Sequence, residues 1–378
     1  MGRHIYVPLE GVAVQVNAYN FPCWGMLEKL APAFLAGMPS IVKPATPTAW
    51  LTHRVVELLL ESGIVPAGSL QLICGSVGDL FDHLTCQDVV SFTGSAGTGE
   101  KIRSHPQIIA QSVRVNIEAD SLNCIILGPD VACDSETFRH FQREVVSEMV
   151  VKAGQKCTAI RRILVPQDRA DEVTTSLTEA LDAVEVGDPR VETVQMGPLV
   201  DQSALDSARE GIDQLSQEAA IVRGNPNRSF DPLNGYFMEP VLLRTTHDAA
   251  DAVHRIEVFG PVATLIEYED TEQAIESARR GGGSLVASIF SEDDQFVERA
   301  MFGLAPYHGR ILVMNEKASL ESTGHGVVMP HLVHGGPGRA GGGEELGGVR
   351  SVKHYMQRLA IQGAPDRVDR LVAGASEG

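Results

Sequence analysis

The chain has 378 residues, of which 43% are hydrophobic and 21% charged, a composition typical of a globular protein with room for more than one domain. Its 31 basic and 49 acidic residues give a net charge of −18, and no run of Lys or Arg offsets this charge locally. Binding to nucleic acids or to anionic membrane surfaces is therefore not expected.

The beginning of the sequence has no apolar leader with a cleavage site, and no apolar run reaches the roughly 20 residues that a membrane span needs. We therefore predict a cytoplasmic protein. The six cysteines form no C-x-x-C pair and no Cys/His cluster at zinc spacing, so no metal site is expected. In the cytoplasm the thiols stay reduced, and five of the six are expected to be small buried hydrophobes.

Short apolar runs alternate with amphipathic stretches through the first 120 residues. The apolar runs are typical of buried strands and the amphipathic stretches are typical of helices. In chain order we predict a strand at Gly11–Val16, a helix at Trp24–Leu35, a strand at Ser40–Lys43, a helix at Pro47–Glu61, a strand at LQLI, a short helix near Asp79–His83, a strand at Val89–Phe92 and a helix from Ser95. This order predicts a parallel sheet covered on both faces, with ligands bound at the carboxyl ends of its strands.

A second α/β series begins after Glu118, and we place the change of domain near Asp120. Its predicted elements are strands at NCIIL and IRRILV, helices at Glu136–Met149 and Ala170–Val184, and further α/β structure from Met238 to Leu312. The glycine-rich segment Gly335–Gly348 predicts a loop that approaches a ligand or another backbone closely. An extended segment is predicted next, at VRSVKHYMQRLAIQ. The last residues, through GASEG, are predicted to form a frayed end.

Two glycine-rich strings imitate nucleotide-binding motifs. GPGRAG, Gly336 to Gly341, has the form of a dinucleotide fingerprint, but it contains a proline and lacks a strand-turn-helix unit. GSAGTGEK nearly reproduces a P-loop, yet Lys101 comes one position late and Ile102 replaces the hydroxyl residue that binds magnesium. We therefore exclude nucleotide hydrolysis.

FTGSAGTG, Phe92 to Gly99, is the more informative glycine-rich stretch. It follows a strand and opens a helix, so backbone N–H groups and the helix dipole can hold a phosphate. A glycine turn between a strand and a helix is also common without any ligand. Its meaning therefore depends on the other motifs.

Several separated stretches carry chemically useful residues in a fixed order. They are NAYNFPCWG with Asn20, IVKPAT with Lys43, FTGSAGTG, NIEADSLNC with Glu118, AGQKC with Cys157, and EVFGPVA. Their order and spacing resemble the aldehyde dehydrogenase superfamily over essentially the whole chain. The resemblance implies an α/β fold with a Rossmann-type cofactor domain, an α/β catalytic domain and oligomerisation strands. It implies an oligomerisation strand and lead-in at 1–15, an NAD(P)-binding domain at 16–120, a catalytic domain at 121–342, and a return to the cofactor domain with an oligomerisation arm at 343–378.

The resemblance implies oxidation of an aldehyde through a cysteine. A carbonyl cannot give up hydride until it becomes a tetrahedral adduct, and Cys157 is the expected nucleophile. By analogy with the family, the side-chain amide of Asn20 and the backbone N–H of Cys157 hold the oxyanion, and Glu118 activates the water that releases the thioester. Taken singly, these residues are also compatible with a buried filler, a turn amide and a surface carboxylate.

The cofactor site is likewise implied by the resemblance. Its residues are Lys43, Thr46, Phe92, Gly94, Ser95, Gly99, Glu257 and Phe259. Members that prefer NAD often carry a glutamate three positions after the lysine, where this chain has Thr46. Since a carboxylate repels a 2′-phosphate, Lys43 beside a neutral Thr46 predicts NADP, with NAD possible. Glu257 and Phe259 resemble the residues that hold the nicotinamide ribose and ring.

Longer strings, such as KAGQKCTAIRR, ESTGHG and LVHGGPGRAGGGEELGG, resemble the dehydrogenase domain of the bifunctional ring-opening enzymes of bacterial phenylacetate catabolism. The semialdehyde dehydrogenases of benzoyl-CoA epoxidation are similar as well. Both act on an aldehyde carried as a CoA thioester, so the expected substrate is a CoA-linked semialdehyde from aromatic degradation. The C-terminal hydratase domain and an N-terminal helical region of that family are not in the sequence, so no ring-opening activity is expected.

Three alternatives remain, together with an expected oligomer. A CoA-acylating dehydrogenase has no use for Glu118, an inactive cofactor-binding fragment is compatible with the late start, and a cysteine hydrolase is disfavoured because no motif places a histidine beside Cys157.

The stretches near Ile5–Val14 and Val352–Leu359 resemble the family's pairing arms. Exposed strand edges invite pairing, so we expect a homodimer or a larger homo-oligomer.

Overall fold

The computed structural model describes residues 1–230, 233–246, 251–318, 321–346 and 348–374. The chain divides into two compact units. The first unit comprises Met1–Ile117, Pro330–Leu332 and Glu344–Gly378, and the second comprises Glu118–Met329 and Val333–Gly343. The chain therefore leaves the first unit at Glu118 and returns to it near its end.

The first part of the first unit alternates strands and helices. Its elements are β1 (Gly2–Pro8), β2 (Ala13–Val16), α1 (Trp24–Leu35), β3 (Ser40–Lys43), α2 (Ala49–Glu61), β4 (Leu70–Leu72), β5 (Val89–Thr93), α3 (Ala96–Arg103), α4 (Pro106–Gln111) and β6 (Arg114–Glu118). The sheet order is β4-β3-β2-β5-β6, and the β4-β3, β3-β2 and β2-β5 pairs are parallel. The predicted parallel α/β arrangement is confirmed.

Two apolar clusters cover one face of this sheet, the face that Ala13, Val42, Leu70 and Val89 share. One contains Met26, Leu30, Val42, Val56 and Leu70, and the other contains Leu9, Ala13, Ala33, Ala36, Met38, Val89 and Tyr355. The central strands β2 and β5 are buried along almost their whole length, as the middle of a parallel sheet covered on both faces requires. The loops that ordinarily bind ligands in such sheets lie at the carboxyl ends of these strands.

The second unit is built on a larger sheet. Its elements are β7 (Cys124–Leu127), α5 (Glu136–Val150), β8 (Arg162–Pro166), α6 (Ala170–Asp182), α7 (Gln202–Leu215), β9 (Ala220–Arg223), β10 (Val241–Thr245), β11 (Val262–Tyr268), α8 (Thr271–Arg279), β12 (Ser284–Phe290), α9 (Asp294–Leu304), β13 (His308–Met314) and β14 (Val333–Gly335). Seven strands pair in the order β13-β12-β7-β8-β11-β10-β9, and only β9 runs antiparallel to its neighbour. Strands β7, β8, β11 and β12 are buried along their whole length, as the centre of a two-sided parallel sheet requires.

The returning segment of the first unit corrects the sequence prediction. Val349–His354 forms α10, and only Met356–Gln362 is the extended strand β16. The hydroxyl of Tyr355 lies 2.9 Å from Oγ of Ser91, and its ring is part of the core. The guanidinium of Arg114 donates to carbonyl oxygens at the end of α10 and the start of β16, at 3.1 and 2.6 Å. These tertiary contacts provide donors for the backbone carbonyls at the end of a helix that the local sequence does not predict.

Two other parts of the tail differ from the prediction. The glycine-rich loop is bordered by β14 and by the short strand β15 (Glu344–Leu346), and it contains a 3₁₀ turn at Gly338–Ala340. Pro365–Gly374 forms the helix α11 rather than a frayed end, and residues 375–378 lie outside the described residues. The tight turns use the freedom of glycine, as at Gly338 with φ +59° and Gly341 with φ +104°.

The first and last strands of the first unit form a separate two-stranded ribbon. β1 pairs antiparallel with β16, from Gly2 opposite Gln362 to Pro8 opposite Met356. Most of the side chains of this ribbon are exposed. Across the described ranges, no helix is both long enough and apolar enough to cross a bilayer.

Candidate active site

A strained turn precedes Cys157. Helix α5 ends at Val150, and the 3₁₀ turn that follows holds Lys152, Ala153 and Gly154 at φ values of 56°, 52° and 67°. For the two non-glycine residues this left-handed conformation costs on the order of 1–2 kcal/mol each. A Cβ on Gly154 would overlap the carbonyl oxygen of Gly260, so glycine is required there. Strain of this kind is often found at functional sites.

Arg161 links this turn by hydrogen bonds to the segment Glu257–Gly260, which contains the predicted nicotinamide-binding residues. Its Nη1 donates to the carbonyl oxygen of Gly260 at 2.7 Å, and its Nη2 donates to that of Gly154 at 2.9 Å. Its Nε lies 3.9 Å from a carboxylate oxygen of Glu257, and its guanidinium carbon lies 5.4 Å from the ring centroid of Phe259. One buried arginine thus ties the nucleophile turn to both predicted residues.

The backbone of Cys157 is fixed from the other side by Asn123. The amide nitrogen of this fully buried side chain donates to the carbonyl oxygens of Cys157 at 2.8 Å and Ala159 at 3.0 Å. Ser121 Oγ donates to the Oδ1 of Asn123 at 2.6 Å, which orients the amide. Within the described parts of the chain, no hydrogen bond occupies the backbone N–H of Cys157. That N–H is therefore available to an oxyanion.

Three side chains from distant parts of the sequence converge at the thiol. The Nε2 of His334 lies 3.7 Å from Sγ of Cys157 and 3.2 Å from Oε1 of Glu118. The donor atoms of all three residues lie within 4.8 Å of one another. Sulfur, nitrogen and oxygen at such distances could also bind a metal ion, but acyl transfer through a thiol requires none.

The close approach shifts the ionisation of two members of this cluster. Burial raises the pKa of the Cys157 thiol to about 12, the Glu118 charge adds to this increase, and the contact with His334 opposes it. Burial lowers the pKa of His334, but the Glu118 carboxylate and the contacts with Cys157 outweigh burial and hold that pKa well above its usual range. The resting site therefore contains a protonated thiol beside a charged imidazolium.

His334 and Arg161 are two residues of the site that were not predicted from the sequence. No motif places a histidine beside Cys157, but β14 brings His334 into contact with the thiol across 177 residues of sequence. No spacing rule connects such positions, since the fold alone joins them. Arg161 carried a weak signal, because a buried strand that opens with charged residues requires partners for them.

The predicted phosphate-binding turn lies between β5 and α3 of the first unit. Ser95 caps α3, with its Oγ accepting from the N–H of Thr98 at 3.4 Å. A Cβ on Gly94 would overlap the ring of Phe92, and one on Gly99 would press on Ile117. These two glycines let the strand and the helix pack closely behind a helix N-terminus. A helix N-terminus with such a turn fits a phosphate group of a nucleotide cofactor.

Lys43 and Thr46 lie at the carboxyl end of β3, a strand of the same sheet as β5. Lys43 is the last residue of β3 and is half-buried, and Thr46 opens an exposed 3₁₀ turn. A lysine ammonium and a small hydroxyl residue are compatible with an adenosine ribose phosphate. The donor set of this unit therefore fits the phosphate groups of a nucleotide cofactor.

Asn20 lies in the irregular segment that follows β2 in the first unit. Hydroxyls at the beginning of α2 hold this segment, since Thr48 donates to the carbonyl oxygen of Tyr19 at 3.1 Å and Thr52 to that of Pro22 at 3.2 Å. Of the predicted catalytic residues, the second unit contains Cys157 and Glu118 and brings them together.

The other five cysteines are not all buried. Cys124 is buried, whereas Cys74 and Cys86 are exposed and Cys23 and Cys133 are intermediate. The expectation of five buried cysteines is therefore wrong for four of them. Small thiols tolerate both environments, so composition alone could not separate them.

The sequence is similar to proteins of one family. The model of the aldehyde dehydrogenase family matches residues 2–361. The chain is 48% identical over 342 residues to the 3,4-dehydroadipyl-CoA semialdehyde dehydrogenase of Aromatoleum evansii, covering 89% of this chain and 66% of that protein. It is 46% identical over 170 residues to Protein MaoC of Klebsiella aerogenes, covering 45% of this chain and 51% of that protein. The chain thus spans slightly less than two thirds of the first relative, and the match with the second covers about half of it.

The fold agrees with the sequence matches. A crystal structure of betaine aldehyde dehydrogenase from Staphylococcus aureus in complex with NAD+ superposes with a TM-score of 0.83 at 26% identity, covering 95% of this chain and 70% of that one. The expected aldehyde dehydrogenase-like α/β fold is confirmed. On the strength of the family match, the relatives and this superposition, the chain belongs to the aldehyde dehydrogenase family.

Proposed function

We propose that the protein oxidises an aldehyde to a carboxylate through a covalent intermediate on Cys157, with NADP as acceptor. The observation that carries this proposal is the convergence of Glu118, Cys157 and His334 within 4.8 Å. A thiol, a carboxylate and a histidine in such contact are suited to nucleophilic acyl chemistry. The family assignment selects aldehydes among the substrates that this chemistry can serve.

The first step is addition of the thiolate to the aldehyde. The sulfur of Cys157 bonds to the carbonyl carbon, and the carbonyl oxygen of the substrate becomes an oxyanion. The available backbone N–H of Cys157 donates to this oxyanion, and the side-chain amide of Asn20 is the second proposed donor. Preorganised donors of this kind typically contribute about 3–4 kcal/mol of transition-state stabilisation each.

Oxidation and release follow. Cys157 would then carry a thioester, since the C–H bond of the adduct breaks, the oxyanion becomes a carbonyl again, and a nicotinamide, when bound, would supply the hydride acceptor. Glu118, whose side chain is 2% exposed, then accepts a proton from the water that attacks the thioester carbon. The bond between that carbon and Cys157 Sγ breaks, which releases the carboxylate and returns the sulfur as a thiolate. This use of Glu118 favours hydrolysis over transfer of the acyl group to free CoA.

The cofactor is proposed to lie on the turn between β5 and α3. Phe92, Gly94, Ser95 and Gly99 shape that turn, and the cationic Lys43 beside the neutral Thr46 favours the extra phosphate of NADP. On the side of the nicotinamide, Glu257 and Phe259 are the proposed contacts, held in place by Arg161. NAD is the proposed second acceptor.

The proposed substrate is a semialdehyde carried as a CoA thioester. The name of the Aromatoleum evansii relative specifies a semialdehyde of this type, and the sequence resembles semialdehyde dehydrogenases of aromatic-acid degradation, including phenylacetate catabolism. We also propose a cytoplasmic location and a homodimeric or larger assembly. The exposed ribbon of β1 and β16 supports the assembly.

The test measures NADPH formation by absorbance with a CoA-linked semialdehyde, and with a medium-chain aldehyde as surrogate. Wild type is expected to turn over continuously, Cys157→Ala to lose at least about 10³-fold because the nucleophile is gone, and Glu118→Gln to stop after one equivalent. Cys74→Ala, at an exposed thiol, is the matched control and is expected to behave as wild type.

Four results would contradict the proposal. Full activity of Cys157→Ala would remove the covalent mechanism, and a higher kcat/KM with NAD would remove the NADP preference. Formation of a new acyl-CoA from added free CoA, with undiminished rate in Glu118→Gln, would favour the CoA-acylating reaction. A folded wild type that binds NADP and never forms NADPH would favour the inactive cofactor-binding fragment.

A further inference from the structure

His334 presents one nitrogen to two reactive groups. Its Nε2 lies 3.2 Å from Oε1 of Glu118 and 3.7 Å from Sγ of Cys157. The His334 side chain is 11% exposed and that of Glu118 is 2% exposed, so solvent screens their charges little. A single N–H on this nitrogen can be directed at either the carboxylate or the sulfur.

The backbone around His334 is held by close packing within the second unit. His334 is the central residue of β14, and the strand β13 lies beside it. A Cβ on Gly309 would overlap the carbonyl oxygen of Gly335, and a Cβ on Gly336 would overlap that of Ser284. The absence of side chains at Gly309 and Gly336 therefore lets these backbone segments approach closely, which fixes the backbone position from which the His334 side chain extends.

We propose that His334 is a catalytic residue that stabilises the attacking thiolate, by turning its Nε2–H from Glu118 to Cys157 as the thiol ionises. This inference rests on the proposed function, in which a Cys157 thiolate attacks the aldehyde. It adds to that function the group that makes the thiolate available.

The ionisation step is balanced within the three residues. The S–H bond of Cys157 breaks, its electron pair stays on sulfur, and the proton passes to the carboxylate of Glu118. His334 keeps its own proton and now faces an anionic sulfur and a neutral carboxylic acid. The cluster has zero net charge before and after the step, so no uncompensated charge is created in a poorly hydrated site. The proton leaves Glu118 for solvent before that residue serves the attacking water.

Other charged groups of the second unit act on the thiol more weakly. Arg310 interacts electrostatically with Cys157, but its guanidinium donates to the carbonyl oxygen of His325 at 2.8 Å. Lys156, the neighbour of Cys157, is paired with the buried Glu148 at 2.6 Å. His334, by contrast, is in hydrogen-bond range of Sγ itself. Removal of its charge is therefore expected to affect thiolate formation most directly.

The test follows alkylation of Cys157 by iodoacetamide as a function of pH, because alkylation requires the thiolate and does not require turnover. The Cys157 peptide is quantified by mass spectrometry, since exposed Cys74 and Cys86 also react. His334→Gln and His334→Phe are compared with wild type. His331→Gln is the control, at an exposed histidine three residues earlier in the chain.

We expect both His334 variants to alkylate Cys157 at least about tenfold more slowly at pH 8, with a pH profile displaced upward by one unit or more. The control is expected to follow wild type. Glu118→Gln is expected to alkylate at least as fast as wild type, because it removes the carboxylate charge that helps to raise the pKa of the Cys157 thiol. Circular dichroism checks that each variant is folded, and two different replacements guard against one that fails to fold.

Unchanged alkylation profiles in both His334 variants would overturn the inference, even if NADPH formation fell, because a purely structural role would not displace the profile. Failure of the proposed function has a different signature. In that case wild type would form no NADPH from any aldehyde, while the alkylation profile would still shift between wild type and the His334 variants.

Discussion

Arg161 and Glu257 form a buried pair beside the nucleophile turn. Burial raises the pKa of Glu257 to about 7, the Arg161 charge opposes this, and the Asp120 charge adds to it. The guanidinium of Arg161 is directed mainly at backbone carbonyls rather than at Glu257, which lies 3.9 Å away. Glu257 therefore changes its protonation state near neutral pH, in the segment proposed to hold the nicotinamide ribose.

This ionisation predicts a pH-dependent stability that Glu257→Gln should remove. The folded state, with its pKa near 7, binds more protons than the unfolded state, with its value of 4.5, so the free energy of unfolding falls as pH rises between these values. Relative to wild type, Glu257→Gln should become more stable from pH 5 to pH 8, by at most about 3 kcal/mol. Denaturant unfolding without cofactor measures this, with the exposed Glu192→Gln as control. Parallel pH curves for wild type and Glu257→Gln would contradict the prediction.

The sequence allowed some residues of the site to be predicted and not others. Cys157 and Glu118 were identifiable because each lies in a distinctive stretch, and the structure brings both side chains together, although their roles stay predictions. His334 belongs to a stretch that carries a family resemblance, but nothing local indicated its contact with a thiol 177 residues away. Such contacts depend on how β14 packs, which local patterns do not encode.

At the scale of elements, the turn before Cys157 depends on one glycine. Gly154 is left-handed and packs against the backbone of Gly260, whereas Gly63 has almost the same φ, +69° against +67°, with nothing near its missing side chain. These two glycines separate the conformational requirement from the steric one. The pair is therefore a matched experiment within the chain.

Gly154→Ala is expected to be much more disruptive than Gly63→Ala. Both add a Cβ to a left-handed residue, at about 1 kcal/mol, but only Gly154→Ala also forces two backbone segments apart, at roughly 1–3 kcal/mol more. Thermal unfolding midpoints should show a clearly larger decrease for Gly154→Ala. NADPH formation should fall as well, because the displaced turn carries Cys157. Equal unfolding midpoints for the two variants would contradict the prediction, because they would show that the turn accommodates a Cβ at position 154 without a steric penalty.

Most elements could be predicted because their patterns agree with their environments. Trp24–Leu35 and Ser40–Lys43 were predicted with the bounds that the structure shows. The helix Val349–His354 was mistaken for a strand because its β-branched residues favour extended structure, whereas Tyr355 and the Arg114 contacts decide for a helix. Tertiary contacts thus overrode propensity over six residues.

At the scale of the whole molecule, the chain ends of the first unit are joined in one ribbon. β1 and β16 pair over seven residues each, and Val7 and Leu359 are 38% and 49% exposed on it. Apolar side chains on an exposed two-stranded ribbon suit pairing with another subunit. The antiparallel register of the two strands could not be predicted from the sequence, because no tight turn joins them.

Light scattering at micromolar concentration is expected to give at least twice the mass of the chain. Leu359→Lys should lower the measured mass toward the monomer, because a charge on the ribbon disfavours burial in an interface. Ile64→Lys, at an exposed residue away from the ribbon, is the control and should leave the mass unchanged. A monomeric wild type would exclude the proposed assembly, and an unchanged mass in Leu359→Lys would place the interface elsewhere.

The protonated state of the resting Cys157 also bears on the chemical durability of the protein. Peroxides oxidise thiolates to sulfenic acids far faster than they oxidise thiols. A thiol with a pKa near 12 offers them little thiolate, whereas Cys74 and Cys86 are open to solvent. Oxidants should therefore react first with the exposed thiols of Cys74 and Cys86. Oxidation of Cys157 should depend on how long its sulfur is a thiolate during turnover rather than on how long the resting protein is stored in air.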